Sequence, residues 1–173
     1  MLKTTANKIT VLRILLIPVW LILQYRNYSV AALIVYIIAC LSDMADGYIA
    51  RHYQQVTNFG KLMDPLADKM LVLAAMCYFV EQSRMPGWLV AAVLFREFAV
   101  SGLRLIAVEQ SHVIAAAMSG KIKTAVTMVS LCVMTVIKLT WLDTLCCWLI
   151  LVVTLYSGAE YFFKNKGVFS DID

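Results

Sequence analysis

The sequence predicts an all-α, polytopic membrane protein with six transmembrane helices. Three observations predict it. The 173 residues are 62% hydrophobic and 15% charged, with a mean hydropathy of +0.79. A soluble domain carries about 45–50% apolar and about 25% charged residues. The apolar residues fall in runs near the roughly 20 residues a helix needs to cross a bilayer. Basic residues gather on alternate connections between the runs, the bias that orients a multi-pass chain. Six spans with short connections use up the length. Residues 1–173 are therefore expected to form a single integral-membrane domain, with any chemistry placed among the helices.

The first span is expected over residues 9–25, after a short polar and basic start that includes Lys3 and Lys8. Basic residues before an apolar run also describe a signal peptide. Gln24 to Tyr28 offer no small-residue cleavage site, so a retained helix is expected. The second span, 28–50, carries acidic residues in its last turns. Residues 51–60 read as a polar loop. The third span, 61–81, has Pro65 near its start, suited to a first helical turn where no backbone donor is lost. Residues 82–87, with Pro86 and Gly87, read as a turn. The fourth span, 88–108, contains Arg96, Glu97 and Arg104. After a loop at 109–120, the fifth and sixth spans are expected over 121–139 and 141–163, before a polar tail. Glu81, Glu109, Asp143, Asp171 and Asp173 read as solvated ends. Cys40, Cys77, Cys132, Cys146 and Cys147 lie in apolar runs without metal-ligand spacing to a histidine, and read as small buried hydrophobes.

The net charge of +4 is too small to suggest nucleic acid. Its distribution sets orientation. With the N-terminus inside, the inner ends hold Lys3, Lys8, Arg51, Lys61, Lys121, Lys123, Lys164 and Lys166, against Arg26, Arg84 and Lys138 outside. Both termini and the 43–68 stretch are then expected on the cytoplasmic side of the cell (inner) membrane.

That stretch holds Asp43, Asp46, Asp64 and Asp68, four of the eleven acidic residues. Carboxylates at membrane depth are costly unless paired or bound to a cation. On a helix, residues three or four apart share a face, so Asp43, Asp46, Gly47, Ala50 and Arg51 form one stripe. Asp64 and Asp68 lie one turn apart on the next helix. Four converging carboxylates need a cation, and all-oxygen ligation favours Mg²⁺, Mn²⁺ or Ca²⁺ over zinc. His52 and His112 read as plain loop residues. Four carboxylates can hold two ions, a clamp suited to displacement at phosphorus. Gly47 and Ala50 leave space for a bulky group, and Arg51 can grip phosphate oxygens with its planar fork. The residues describe a metal-bridged pyrophosphate at a membrane surface, carried by a lipid-linked nucleotide or an isoprenoid diphosphate. A prenyl transferase or a divalent-cation or proton transporter would also use membrane carboxylates. The single acidic block and the absence of a repeat are unlike the paired, broken helices of many transporters.

The pattern Asp43-x2-Asp46-Gly47-x2-Ala50-Arg51-x8-Gly60-x3-Asp64-x3-Asp68 resembles the signature of the CDP-alcohol phosphotransferase family at every fixed position. The resemblance implies that the four aspartates hold two divalent ions, Mg²⁺ or Mn²⁺. It implies that Gly47, Ala50, Arg51 and Gly60 line the CDP site, and that Asp68 deprotonates the attacking hydroxyl. It also implies a homodimer.

Three looser motifs are similar to those of members whose acceptor is glycerol 3-phosphate. They are Asn7-x2-Thr10-x2-Arg13, Arg96-Glu97-Phe98-x2-Ser101-Gly102-x-Arg104, and Gly120-Lys121-x-Lys123-Thr124. The implied reaction transfers the phosphatidyl group of CDP-diacylglycerol to sn-glycerol 3-phosphate, giving phosphatidylglycerol phosphate and CMP. Inositol, inositol phosphate and serine are the alternative acceptors. Asn7 and Thr10 would join the CDP site, although both are also ordinary helix-capping residues. Arg13, Arg96, Arg104, Lys121 and Lys123 would bind the acceptor. The residues themselves support a second anion pocket. Arg96 and Arg104 lie eight apart on one side of a helix, and Lys121 and Lys123 open the next helix from the same membrane side. The plain alternatives are topology-setting charge for the lysines and an ion pair between Arg96 and Glu97, which point about 100° apart on a helix.

Overall fold

The structure, a computed structural model, describes residues 5–52, 58–109 and 118–165, with side chains for 11–42, 67, 69–104, 107 and 118–165. These form six α-helices and no strand among the described residues. The helices are α1 (Thr5–Tyr25), α2 (Ser29–His52), α3 (Asn58–Glu81), α4 (Gly87–Glu109), α5 (Met118–Val136) and α6 (Thr140–Lys164). They run 19 to 25 residues. At 1.5 Å per residue the shortest is about 28 Å long, close to the roughly 30 Å of a bilayer core. Among the described residues, α6 alone is long and apolar enough to cross a membrane by length and composition; Val11–Tyr25 and Ser29–Ser42 are shorter apolar stretches. Ionisable residues interrupt the apolar runs of α4, at Arg96, Glu97 and Arg104, and of α5, at Lys121 and Lys123.

α1 packs on α2 and α3, α5 on α6 and α2, and α4 on α6. The bundle therefore has two ends. The turn end carries the α1–α2, α3–α4 and α5–α6 connections. The motif end carries the C-terminus of α2 and the N-termini of α3 and α5. Two of the turns are built alike. After α1, Asn27 takes a left-handed φ of 60°, Asn27 N donates to Gln24 O and Tyr28 N to Leu23 O, both at 2.9 Å. After α3, Ser83 takes φ 55°, with Ser83 N donating to Val80 O and Arg84 N to Phe79 O, again at 2.9 Å. This pairing satisfies the last carbonyls of a helix around one left-handed residue. Neither position is glycine, and α3 stops at Glu81, where the sequence places its end.

The core is aromatic toward the turn end. Trp20 meets Tyr36 at 5.7 Å and Tyr78 at 5.6 Å between centroids, and Phe79 at 6.3 Å, edge-on to the last two. Edge-to-face packing suits ring quadrupoles. Large apolar side chains point outward instead: Leu15, Ile22, Ile34, Phe95, Phe98, Trp148, Val152 and Leu155 are all exposed. Small polar residues point inward. Buried Thr127 and Thr135 donate to the carbonyls of Lys123 (2.9 Å) and Leu131 (2.8 Å) one turn back. An apolar exterior, with buried threonines such as these bonded back into their own helix, is an arrangement lipid favours.

Four expectations need correction. Asp143 is no solvated end: it is 5% exposed and receives Arg84 Nε and Nη2 at 2.8 and 2.7 Å. α6 starts on Leu139 without a side-chain cap, so a carboxylate in its first turn stabilises the helix dipole. Cys77 is exposed, unlike the other cysteines, and none forms a disulfide. The expected loop at 51–60 is shorter, because α2 continues to His52 and α3 begins at Asn58. Gly60 and Lys61 are helical in consequence, and Pro65 stands in the interior of α3 rather than its first turn.

Candidate active site

The acidic signature straddles the connection between α2 and α3. Asp43, Asp46, Gly47, Ala50 and Arg51 lie on the C-terminal half of α2, and Gly60, Asp64 and Asp68 on the N-terminal half of α3. Their side chains lie outside the described residues. The helix bounds still set their levels. Asp46 is six residues before the end of α2 (52 − 46), and Asp64 six after the start of α3 (64 − 58). Asp43 and Asp68 are nine and ten from the same ends (52 − 43 and 68 − 58). A short link makes consecutive helices antiparallel neighbours. At 1.5 Å per residue, Asp46 and Asp64 then share a level about 9 Å from the end, and Asp43 and Asp68 one about 14 Å deep. By their chemistry four carboxylates are oxygen donors of the kind hard divalent ions take.

Beside this stretch, α3, α4 and α5 bring four charges together. Lys123 Nζ donates to Glu97 Oε1 at 2.7 Å. Arg96 Nη1 donates to the same oxygen at 2.9 Å. Lys69 Nζ stands 3.9 Å from Glu97 Oε2 and 3.4 Å from Ser101 Oγ. The adjacent pair Arg96–Glu97 forms despite the angle between neighbouring positions, because the long arginine bends back along the helix. Two glycines fix its course. A Cβ at Gly158 of α6 would lie 3.2 Å from Arg96 Cγ, and one at Gly120 of α5 would lie 3.7 Å from Arg96 Nη2. The side chain thus passes α6 and ends against α5. A cleft of about 110 Å³ opens alongside, lined on its polar side by Lys69, Glu97, Lys123, Thr124 and Thr127. Met70, Leu73 and Phe98 line its apolar side.

Of the residues expected to bind an acceptor, Arg96 and Lys123 are brought together. Lys121 is exposed. Arg104 is turned to α6, where its Nε lies 3.3 Å from Tyr161 Oη and its guanidinium 5.6 Å from the ring centre. Arg13 is fully buried on α1. Asn7 and Thr10 lie in the first turns of α1, with side chains outside the described residues. Lys69 is the residue that sequence reasoning passed over. Its place inside the α3 run was the available signal, since an ionisable residue at membrane depth marks a candidate site.

A family model, CDP-alcohol phosphatidyltransferase, matches residues 3–156. The chain is 39% identical to a CDP-diacylglycerol–glycerol-3-phosphate 3-phosphatidyltransferase of Bacillus subtilis, over 92% of this chain and 93% of that protein. It is 32% identical to a protein of the same name from Rickettsia typhi, over 97% of this chain and 100% of the relative. A probable phosphatidylglycerophosphate synthase of Mycobacterium tuberculosis is 37% identical over 73% of this chain and 63% of its own length.

Proposed function

Because the chain belongs to the CDP-alcohol phosphatidyltransferase family, we propose that it transfers the phosphatidyl group of CDP-diacylglycerol to the 1-hydroxyl of sn-glycerol 3-phosphate, releasing CMP and phosphatidylglycerol phosphate. The observation that carries the choice of acceptor is the cluster of Arg96, Lys123 and Lys69 around Glu97. Three cations against one carboxylate leave a net +2, which suits a phosphate monoester of about −1.5 to −2. Inositol or serine would leave that charge without a counterpart.

In this reading Asp43, Asp46, Asp64 and Asp68 hold two divalent ions, Mg²⁺ or Mn²⁺. Such ions, when bound, would supply positive charge against the pyrophosphate and the departing CMP. Gly47, Ala50 and Gly60 leave room for the nucleotide, Arg51 grips a phosphate, and Asn7 and Thr10 complete the CDP side. Asp68 takes the proton of the acceptor hydroxyl. The hydroxyl oxygen bonds to the phosphorus of the phosphatidyl group as its bond to the CMP oxygen breaks. No covalent enzyme intermediate is involved. Arg96 and Lys123, with Lys69, hold the acceptor's phosphate, Arg104 and Lys121 line its approach, and Arg13, buried on α1, adds positive charge from within the bundle. All six helices cross the bilayer, as the exposed apolar side chains support. The motif end and both termini lie on the cytoplasmic side, in line with the lysines and arginines gathered there.

The test follows CMP release by the purified protein in detergent with CDP-diacylglycerol and Mg²⁺ or Mn²⁺. Release is expected with glycerol 3-phosphate and to vanish without metal. Release with inositol, inositol phosphate or serine alone would keep the family and overturn the acceptor.

A further inference from the structure

Glu97 is an acid at the centre of a site built for an anion, and that placement needs a reason. Its Oε1 is where donors from α4 and α5 converge, Arg96 Nη1 at 2.9 Å and Lys123 Nζ at 2.7 Å. Its Oε2 faces Lys69 of α3. A carboxylate is an acceptor-only group with two oxygens, and so resembles part of a phosphate. The surrounding cations keep donors in hand. Lys123 has three N–H groups and spends one on Glu97. Arg96 Nε is buried and has no hydrogen-bond partner among the described residues. The cleft reaches Lys69, Glu97, Lys123 and Thr124 together. Gly120 and Gly158 leave Arg96 no side chain of their own to rest on and hold its path between α5 and α6.

We propose that Glu97 is a positioning and specificity residue whose carboxylate stands in the place of the acceptor's phosphate. It holds Arg96, Lys123 and Lys69 together until acceptor arrives, and gives up Lys123 to the incoming phosphate. An uncharged alcohol cannot make that exchange, because it would strand either Glu97 or the cations in a site of low dielectric. Discrimination then comes from an obstacle to the wrong ligand as much as from contacts to the right one. The inference rests on the reading of the chain as a transferase to a phosphorylated acceptor, but concerns a residue that makes anion binding weaker.

The probe is inorganic phosphate, measured two ways on the full-length protein in detergent: by calorimetric binding, and as an inhibitor of CMP release. Glu97→Gln keeps the shape and removes the competing charge. It is expected to bind phosphate at least about tenfold more tightly, a conservative reading of one unit charge removed within about 4 Å. KM for glycerol 3-phosphate should fall, and kcat should fall with it, because the product keeps the same phosphate and leaves more slowly. Glu97→Asp retains the charge and should stay within about threefold of the parent for phosphate. Weaker or unchanged phosphate binding in folded Glu97→Gln overturns the proposal and makes Glu97 an ordinary ion-pair partner. Should that variant not fold, Lys123→Met is compared with Lys123→Met/Glu97→Gln. The double variant is expected to bind phosphate at least about tenfold more tightly than the single, and no gain overturns the proposal. Calorimetry with phosphate reports on Glu97 whatever the acceptor is, whereas CMP release independent of glycerol 3-phosphate would overturn only the reading beneath it.

Discussion

The two ends of the bundle treat charge in opposite ways. At the turn end the described residues hold one ion pair, and it is one to one. Arg84 grips Asp143 with two donors and gives Nη2 also to the carbonyl of Ile137. Tyr25 donates to Glu81, and Lys138 to Asn27 at 2.8 Å. These contacts tie the α3–α4 turn to α6 and the α1–α2 turn to its neighbours, above a core of interlocked aromatic rings. Toward the motif end, three cations share the carboxylate of Glu97, and a cleft opens beside them. Balanced charge locks a structure, because each group is satisfied by a fixed partner. Unbalanced charge at depth is retained at a cost and marks a site that awaits a ligand. Stability and chemistry are thus separated along the helix axes.

The largest effect expected on this comparison is at Asp68. Asp68→Asn removes a general base, a change of about 10²–10⁴-fold, and should lower CMP release at the upper end of that range while leaving the melting temperature in detergent nearly unchanged. Asp143→Ala should do the reverse. It leaves the Arg84 guanidinium in a partly buried position without its carboxylate, which costs about 3–5 kcal/mol. Thermal unfolding in one detergent is expected to show that loss, while KM for glycerol 3-phosphate per folded molecule holds. A tenfold change in KM for Asp143→Ala would break the separation of the two ends.

Much of this was legible in the sequence, for reasons that differ by element. The six helices announced themselves as apolar runs, and their turn-end bounds fell within a few residues of expectation. The motif-end bounds fell within about four residues. α2 and α3 continue through polar residues that read as loop, because helix propensity survives where hydropathy fades. The family was legible through the spacing of the acidic signature. Lys69 was not, since a lysine beside an aspartate reads as a solvated pair until the fold places it against Glu97. Asp143 misled for the same reason: its partner Arg84 is 59 residues away, and no local pattern links them. Arg96 and Arg104 shared a face as expected, yet Tyr161 of α6 draws Arg104 away. Pairings across helices are set by packing, which periodicity does not encode.

A smaller effect sharpens the motif side of the comparison. Gly158→Ala would place a methyl group 3.2 Å from Arg96 Cγ. That is close enough that the arginine must shift by a few tenths of an ångström. KM for glycerol 3-phosphate is expected to rise about three- to tenfold, with kcat little changed, because positioning of a binding group is disturbed and the base is not. An unchanged KM would show that Arg96 is held by Glu97 alone and that α6 plays no part in the site.

The smallest effect lies back at the turn end, at Ser83. Its φ of 55° is a left-handed conformation that costs an L residue roughly 1–2 kcal/mol. Glycine adopts it freely but loses more entropy on folding, about 0.4–1 kcal/mol. The strain relieved exceeds the entropy lost, so Ser83→Gly should stabilise the protein by up to about 1 kcal/mol. The exposed hydroxyl of Ser83 makes no contact that the turn depends on; Ser83 N and Arg84 N supply its hydrogen bonds. Thermal unfolding reads the gain, and the CMP-release rate should not move. A loss of stability instead would mean that the serine side chain, and not the backbone pairing, holds the turn. A gain without any change in rate would show that the end made for rigidity can be made more rigid still, while the site at the other end works as before.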